Sequence, residues 1–360
     1  MANTFFKSFA ESDRTSSRTL LHEVIPITGT IVTGTYNHEN NIKTFSHGMF
    51  KSIYDYPYLS SSANHIFDIS FGHAATSPRS GSSAGHIQVA KKINMYNQMA
   101  QVLAGFDTGS NVRLFDKDGN FTNTTKDKYT EAWFLTFSRL LVKDEIKKGS
   151  FSMAVGNAKD YTNAHTASYT LTDSGASTNV KINSPAGEYG LLYTSSVDAS
   201  ASGAGKHYGT PQGLLYYQAG VAVLTGSLLG VATGATNTQA ELTSTGKVFD
   251  ELATGSINNM VDAFTHRICN IQFNNTTELN STIYFCRANH HEFNYSSNPT
   301  YLNASKIVVK GDDNLTPPRS YVTTVGLYSA DNELLAVAKL SEPLRKDPTN
   351  ELTLRVRLDY

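Results

Sequence analysis

Cysteine is nearly missing from this chain: Cys269 and Cys286 are the only two in 360 residues. Two cannot build a disulfide framework or an all-cysteine zinc site. Charge is scarce as well. Asp, Glu, Lys and Arg supply 17% of the residues, against a usual ~25%. The 30 basic and 31 acidic side chains leave a net charge of -1, which argues against a general nucleic-acid surface. There is no apolar run of the ~18 residues a membrane helix needs, so no membrane insertion is expected. The first residues lack the apolar core of a signal peptide, and a cytoplasm is the expected site of synthesis. There both thiols should stay free and buried.

What replaces charge is small and polar, with 26 Gly, 19 Tyr and 18 Phe. That mixture suits strands and turns more than helices. A surface poor in charge also suits a protein covered by partners. The expected fold is mainly β with a few helices (α+β), in antiparallel β-sandwich-like domains with long loops. Length suggests two or three domains. The expected segments are an α+β region at 1–130, a β-sandwich-like middle domain with Ser/Thr/Gly-rich loops at 131–250, and a helix plus antiparallel strands at 251–360.

The end of the chain carries the sharpest pattern. Tyr321–Tyr328 is rich in β-branched and aromatic residues, Ser329–Asn332 is a turn signal, and Glu333–Leu340 reads as a second strand. Pro343 and Pro348 bar a helix and force extended or turn geometry. In the last run Leu352, Leu354, Val356 and Leu358 alternate with Thr353, Arg355, Arg357 and Asp359, as in a half-buried strand. These runs are expected to act as a docking module. Its candidate interface residues are Tyr321, Tyr328, Arg355, Arg357 and Tyr360, with the two arginines as candidates for ion pairs.

Elsewhere the first 20 residues read as an arm, Val24–Tyr36 as a strand with a bulge, and His65–Gly72 as a strand. Lys91–Leu103 is the clearest helix of the first half. Asn94, Asn97, Gln98 and Gln101 form its polar stripe, and its wide apolar arc predicts burial on more than one side. Asn111–Thr122 reads as a hairpin tipped by Asp118-Gly119, Arg139–Lys148 as a short helix, and Glu131–Phe137 as a central strand or a buried helix turn. Gly213–Thr225 reads as strand, turn, strand. Ser256–Ile268 is a second helix, N-capped by Ser256. Ile271–Phe273 and Thr282–Arg287 are expected to pair as a hairpin that brings Cys269 close to Cys286.

Several local matches to chemical motifs fail on context. Gly81–Gly85 reads G-x-S-x-G but lies in a Ser/Gly-rich loop without the strand and helix of a nucleophile elbow. Asp116, Asp118 and Asn120 occupy the first, third and fifth positions of a calcium loop, yet the glycine and the twelfth-position glutamate are misplaced, so a turn is favoured. Gly203–His207 lacks the hydroxyl residue and the first glycine of a P-loop. His290, His291 and Glu292 form the one histidine cluster and read as a polar edge. Asn275-Thr276-Thr277 and Asn280-Ser281-Thr282 fit the glycosylation pattern by chance. Tyr54, Tyr56 and Tyr58 read as core or interface aromatics, with sugar stacking as the rival. No paired carboxylates stand out. No catalytic, cofactor-binding or metal-ligating residue is assigned, and no cofactor is expected.

Four stretches together carry a resemblance: Lys91–Asp107, Phe137–Met153, Gly213–Thr225, and Asn270–Leu302 running into the terminal runs. They resemble virion structural proteins of T-even-like marine myophages, especially cyanophages. The segment from Ile146 through Thr225 is similar to a strand pattern of tail, neck and baseplate proteins. Tyr321–Pro343 is similar to a string found in some tail fibres, with Thr324 in place of the fibre glutamate and Asn332 in place of the turn glycine. The resemblance implies a non-enzymatic structural component of a contractile-tail bacteriophage, in the baseplate or fibre-attachment region. It would sit in the virion after assembly in the host cytoplasm. Its partners would be its own copies, other tail and baseplate proteins, and tail fibres. A host-surface or glycan-binding fibre or adhesin module, with sites on the 55–63 and 158–210 loops, is the alternative, as is a capsid or neck protein. An enzyme would need the paired acids that the chain does not offer.

Overall fold

The computed structural model describes residues 6–25, 39–80, 86–121, 127–156, 168–194, 211–230, 241–243, 245–296, 298–303, 306–307 and 318–360. Strand β1 (Arg14–Ile25) is followed by β2 (Ile42–Thr44), β3 (Lys51–Tyr54), β4 (His65–His73) and helix α1 (Ile87–Leu103). Short β5 (Phe115–Asp116) and β6 (Lys128–Tyr129) precede β7 (Glu131–Phe137), α2 (Arg139–Val142), β8 (Glu145–Ile146), β9 (Ser152–Gly156) and β10 (Ser168–Thr172). Next come β11 (Tyr189–Thr194), β12 (Gly213–Tyr216), β13 (Val221–Thr225), α3 (Ser227–Gly230), α4 (Phe249–Leu252) and α5 (Ile257–Thr265). β14 (Ile268–Ala288), β15 (Leu302–Asn303), β16 (Lys306–Ile307), β17 (Ser320–Tyr328), β18 (Leu334–Lys346) and β19 (Leu352–Asp359) close the order. With 43% strand and 20% helix, this is a mainly-β α+β protein built on a large antiparallel sheet.

The chain divides into two compact units, Leu21–Thr277 and Met1–Leu20 with Glu278–Tyr360. The cuts expected at 130 and 250 lie elsewhere, because β4 and β7 pair across position 130 from Phe67↔Phe137 to His73↔Glu131.

In the unit Leu21–Thr277 the strand order is β14-β9-β10-β11-β12-β13-β7-β4-β3-β2. The central β7 is apolar on both faces, and each face meets its own core. Trp133, Leu135 and Phe137 join Phe71, Leu224, Met260 and Phe264 in one cluster. Ala132 and Phe134 join Tyr96, Ala100, Val223 and Tyr216 in the other. On the first face Trp133 stacks on Phe264 of α5 at 4.6 Å. Helix α5 keeps its expected stripe, with Ile257, Met260, Val261 and Phe264 buried and the Ser256 hydroxyl accepting from Asn259 N–H at 3.2 Å, but it stops at Thr265, and Ile268 opens β14 instead. On the second face lies α1. It ends as its sequence suggests: Gly105 takes φ 78° and donates its N–H to the Ala100 carbonyl at 2.9 Å. It begins four residues earlier than expected, with His86 as N-cap. Its burial is also narrower. Lys92, Met95, Tyr96, Ala100 and Leu103 form a single buried stripe, while Val102 is 66% exposed. Only the face toward the sheet is covered.

Packing overrides several local signals. The hairpin expected at Asn111–Thr122 does not close on itself. Phe115 pairs with Tyr129 and Asp116 with Lys128, leaving Gly119 at φ 69° within the connection. Phe115 and Tyr129 are both buried, and that aromatic pair fixes the register. The helix expected over Arg139–Lys148 stops at Val142, since Glu145–Ile146 is drawn into pairing with Thr276 and Asn275. The hairpin expected around Asn274–Asn280 is instead the continuous 21-residue β14. There Asn275 is buried and donates its side-chain N–H to the Leu141 carbonyl at 2.9 Å, which holds the strand extended. Cys269 and Cys286 are therefore separated along one strand; both are free and partly rather than fully buried.

In the unit of the two termini, the lead-in is not an irregular arm throughout, because β1 starts at Arg14 and neighbours β14. Its continuation expected over Val24–Tyr36 lies outside the described residues beyond Ile25. β19 pairs antiparallel with β14 from Ser281↔Asp359 to Ala288↔Leu352. The alternation holds: Leu352, Leu354, Val356 and Leu358 are the more buried residues, and Thr353, Arg355, Arg357 and Asp359 are exposed. The three terminal runs do not share one sheet, however. β17 and β18 form their own two-stranded ribbon. β18 runs on to Lys346, past the expected end at Leu340. Val322 pairs with Leu344 and Thr324 with Lys339, so residues 340–343 face Thr323 alone. Pro343, which has no N–H to donate, sits in that irregularity rather than in the ladder.

Gly72 of β4 gives a direct test of the helix-on-sheet contact. A Cβ there would lie 2.8 Å from the Lys92 carbonyl oxygen and the Tyr96 nitrogen of α1. Gly72→Ala should destabilise the protein by about 1–3 kcal/mol through overpacking, read as a lowered thermal midpoint.

Candidate functional site

The candidate interface residues all lie in the unit of the two termini. Tyr321 is 51% exposed on β17, opposite Arg345. Tyr328, at the other end of β17, packs its ring on Phe6 at 4.7 Å. Gly326 leaves room for this: a Cβ on it would lie 2.9 Å from the Tyr328 ring and 3.3 Å from Leu334. Arg355 faces outward opposite Phe285. The Arg357 Nε donates to Asp359 at 2.7 Å, and its Nη2 donates to the Ser281 hydroxyl at 3.1 Å. Tyr360 exchanges both backbone hydrogen bonds with Asn280, at 2.8 and 3.1 Å. Its hydroxyl lies 3.1 Å from that of Thr282. Arg357 and Tyr360 thus lie along the pairing of β19 with β14, while Tyr321 and Tyr328 belong to the ribbon.

Two features of this unit carried little sequence signal. One is a groove of about 730 Å³ lined by Phe9, Phe285, Phe293, Leu327, Leu352 and Leu354. Its polar rim is neutralised locally, with Lys7 on Glu292 at 2.5 Å and Arg287 on Asp13 at 2.8 Å. Cys286 also lines it; burial and the Asp13 charge push its thiol pKa up, which keeps it protonated and weakly reactive. The other is Lys346, buried at the ribbon base. Its ammonium donates to Asn294 Oδ1 at 2.8 Å, the Asp347 carbonyl at 2.9 Å and the His290 carbonyl at 3.2 Å.

The remaining candidates resolve into structural roles. Asp116 is buried and ion-paired to Lys128, and burial pushes its carboxyl pKa up. That pairing suits a turn rather than a calcium loop. His290 and His291 lie in the turn after β14 rather than on a strand, with ring centroids 4.9 Å apart. Among the described residues, no group of three His, Cys, Asp or Glu side chains is placed to hold a metal. Gly81–Gly85, Gly203–His207 and, of the 158–210 loops, residues 158–167 and 195–210 lie outside the described residues. Tyr56 and Tyr58 are exposed, contrary to the core expectation; Tyr54 and Tyr58 sit 6.4 Å apart.

The unit Leu21–Thr277 holds a set of buried polar groups. Asp173 accepts from Gly149 N–H at 2.7 Å, Phe151 N–H at 3.0 Å and the Tyr217 hydroxyl at 3.2 Å. Burial still raises its pKa. Lys92 is fully buried and donates to the Ala253 carbonyl. Burial lowers its ammonium pKa from 10.5 to about 8. Sequence patterning could not flag either group, since both look like ordinary surface charges.

Two outcomes are expected. Val356, at 9% exposure on the inner face of β19, should cost about 1–2 kcal/mol when truncated to Ala. Arg357→Ala should melt within error of wild type, since its ion pair is open to water. Lys92 predicts a pH effect. Between about 8 and 10.5 the unfolded chain holds a proton on Lys92 that the folded chain has released. Wild-type stability should therefore rise with pH across that window relative to Lys92→Met, by an amount of order 3 kcal/mol, in paired urea titrations.

No family model matches the chain, no curated protein matches it, and no solved structure matches it.

Proposed function

We propose that this chain is a structural component of a contractile-tail bacteriophage virion, placed in the baseplate or fibre-attachment region, and that it works through protein–protein contact rather than catalysis. The observation that carries this is the β17–β18 ribbon. It exposes Tyr321, Tyr328, Leu334, Leu335 and Val337 at 44–67%. An extended ribbon with that much apolar and aromatic surface is a contact surface in search of cover. The resemblance of Tyr321–Pro343 to a fibre string supports the same assignment, as does the charge-poor composition. The partners are further copies of the chain and the tail, baseplate and fibre proteins around it.

A second function is favoured by one observation. Tyr56, Tyr58 and Leu59 are exposed together, Leu59 at 86%, on the loop before β4. Aromatics presented this way suit stacking on a host glycan.

The test is assembly with a truncated subunit. Deleting residues 351–360 removes β19 and uncovers the β14 face it pairs with. Insoluble subunit, or particles lacking it, is expected. Normal particles containing the truncated chain would contradict the role of β19. Absence of the full-length chain from purified particles, or turnover of envelope polymer by the isolated protein, would contradict the structural role itself.

A further inference from the structure

The β18 edge carries a stretch that is complementary to itself. Glu333 and Lys339 bracket Leu334–Ala338, with Ala336 at the midpoint. If two copies run antiparallel with Ala336 opposite Ala336, each Glu333 meets the Lys339 of the other copy. Leu334 then faces Ala338, and Leu335 faces Val337. Opposite charges directly across two strands stabilise the pair, and like charges in the same places destabilise it.

The structure leaves this stretch open for such pairing. β17 is the partner of β18 on one side, and among the described residues the other side has no strand partner. Within its own ribbon Lys339 faces Thr324, so its charge is not matched there. Glu333 is fixed at the strand entrance by its backbone, which donates to the Ser329 hydroxyl at 3.1 Å and accepts from Ser329 N–H at 2.8 Å. Both charged side chains are exposed. Between them Leu335 is 67% and Val337 is 54% exposed. A long edge strand with apolar residues is a template for another strand unless something blocks it. Here the two charges that would repel a foreign strand are arranged to accept an identical one.

We propose that a second copy of this chain adds to the β18 edge through Glu333–Lys339, antiparallel and about a two-fold axis at Ala336. The contact is isologous, so every residue is used twice. It deepens the particle role by naming one self-contact, and rests on that role for its purpose. Edge pairing alone buries less than the ~1,200 Å² of a standard stable interface, so the free protein associates only as its concentration rises.

Sedimentation velocity on the purified full chain, across a concentration series, tests this apart from any particle. Wild type should shift from monomer toward dimer. Glu333→Lys and Lys339→Glu each place two like-charge pairs at the contact and should weaken association about tenfold. The double variant E333K/K339E restores both pairs and should recover wild-type association. Circular dichroism should be unchanged throughout, since both positions are exposed. A wild type that stays monomeric, single variants that associate like wild type, or a double variant that does not recover would each overturn the pairing. Those results would leave the virion role standing, because it is judged by the presence of the chain in particles.

Discussion

Glu131–Phe137 has to be covered on both sides. Trp133, Leu135 and Phe137 point one way and Ala132 and Phe134 the other, and all five are buried. A strand apolar on both faces is stable only inside a layered core. Helix α5 supplies one cover and α1 the other. The close approach of α1 in turn requires Gly72, and the stacking of Trp133 on Phe264 sets the position of α5. The polar groups caught in this core survive by finding partners. Asp173 has three donors and Lys92 has the Ala253 carbonyl.

The unit of the two termini follows the opposite pattern. β19 is apolar on one face only, and the ribbon of β17 and β18 leaves Tyr321, Tyr328, Leu334, Leu335 and Val337 exposed. Such surfaces bury less and offer more contact. Among the described residues no cluster is placed to hold a metal, and the buried Lys346 donates to Asn294 and to the His290 and Asp347 carbonyls. Strand edges, aromatic rings, and charges set in a complementary order are what this unit presents at its surface.

How much of this was legible in the sequence depended on whether the signal was local. The period of α5, its serine cap, the Gly105 stop of α1 and the alternation of Leu352–Asp359 are set by neighbours a few residues away, and all are found as read. The 21-residue β14 was hidden because Asn274–Leu279 looks like a polar turn. It is held extended by Leu141, Glu145 and Ile146, which are distant in sequence. The Phe115↔Tyr129 register defeated a strong Asp-Gly turn signal for the same reason. Of the candidate interface, the five named residues lie together in the unit of the two termini, but the groove beside them was not foreseen. Its walls come from Phe9, Phe285, Phe293, Leu327 and Leu352, residues that only the fold brings to one place.

The exposed ribbon is where the protein is proposed to meet its neighbours. Hydrogen exchange measured on residues 320–346, in dilute free protein and in the assembled state, tests it most directly. The amides along the outer edge of β18 should exchange rapidly in the free chain and become protected on assembly, while those of β7 stay protected in both. Equal exchange of the ribbon in the two states would contradict the account.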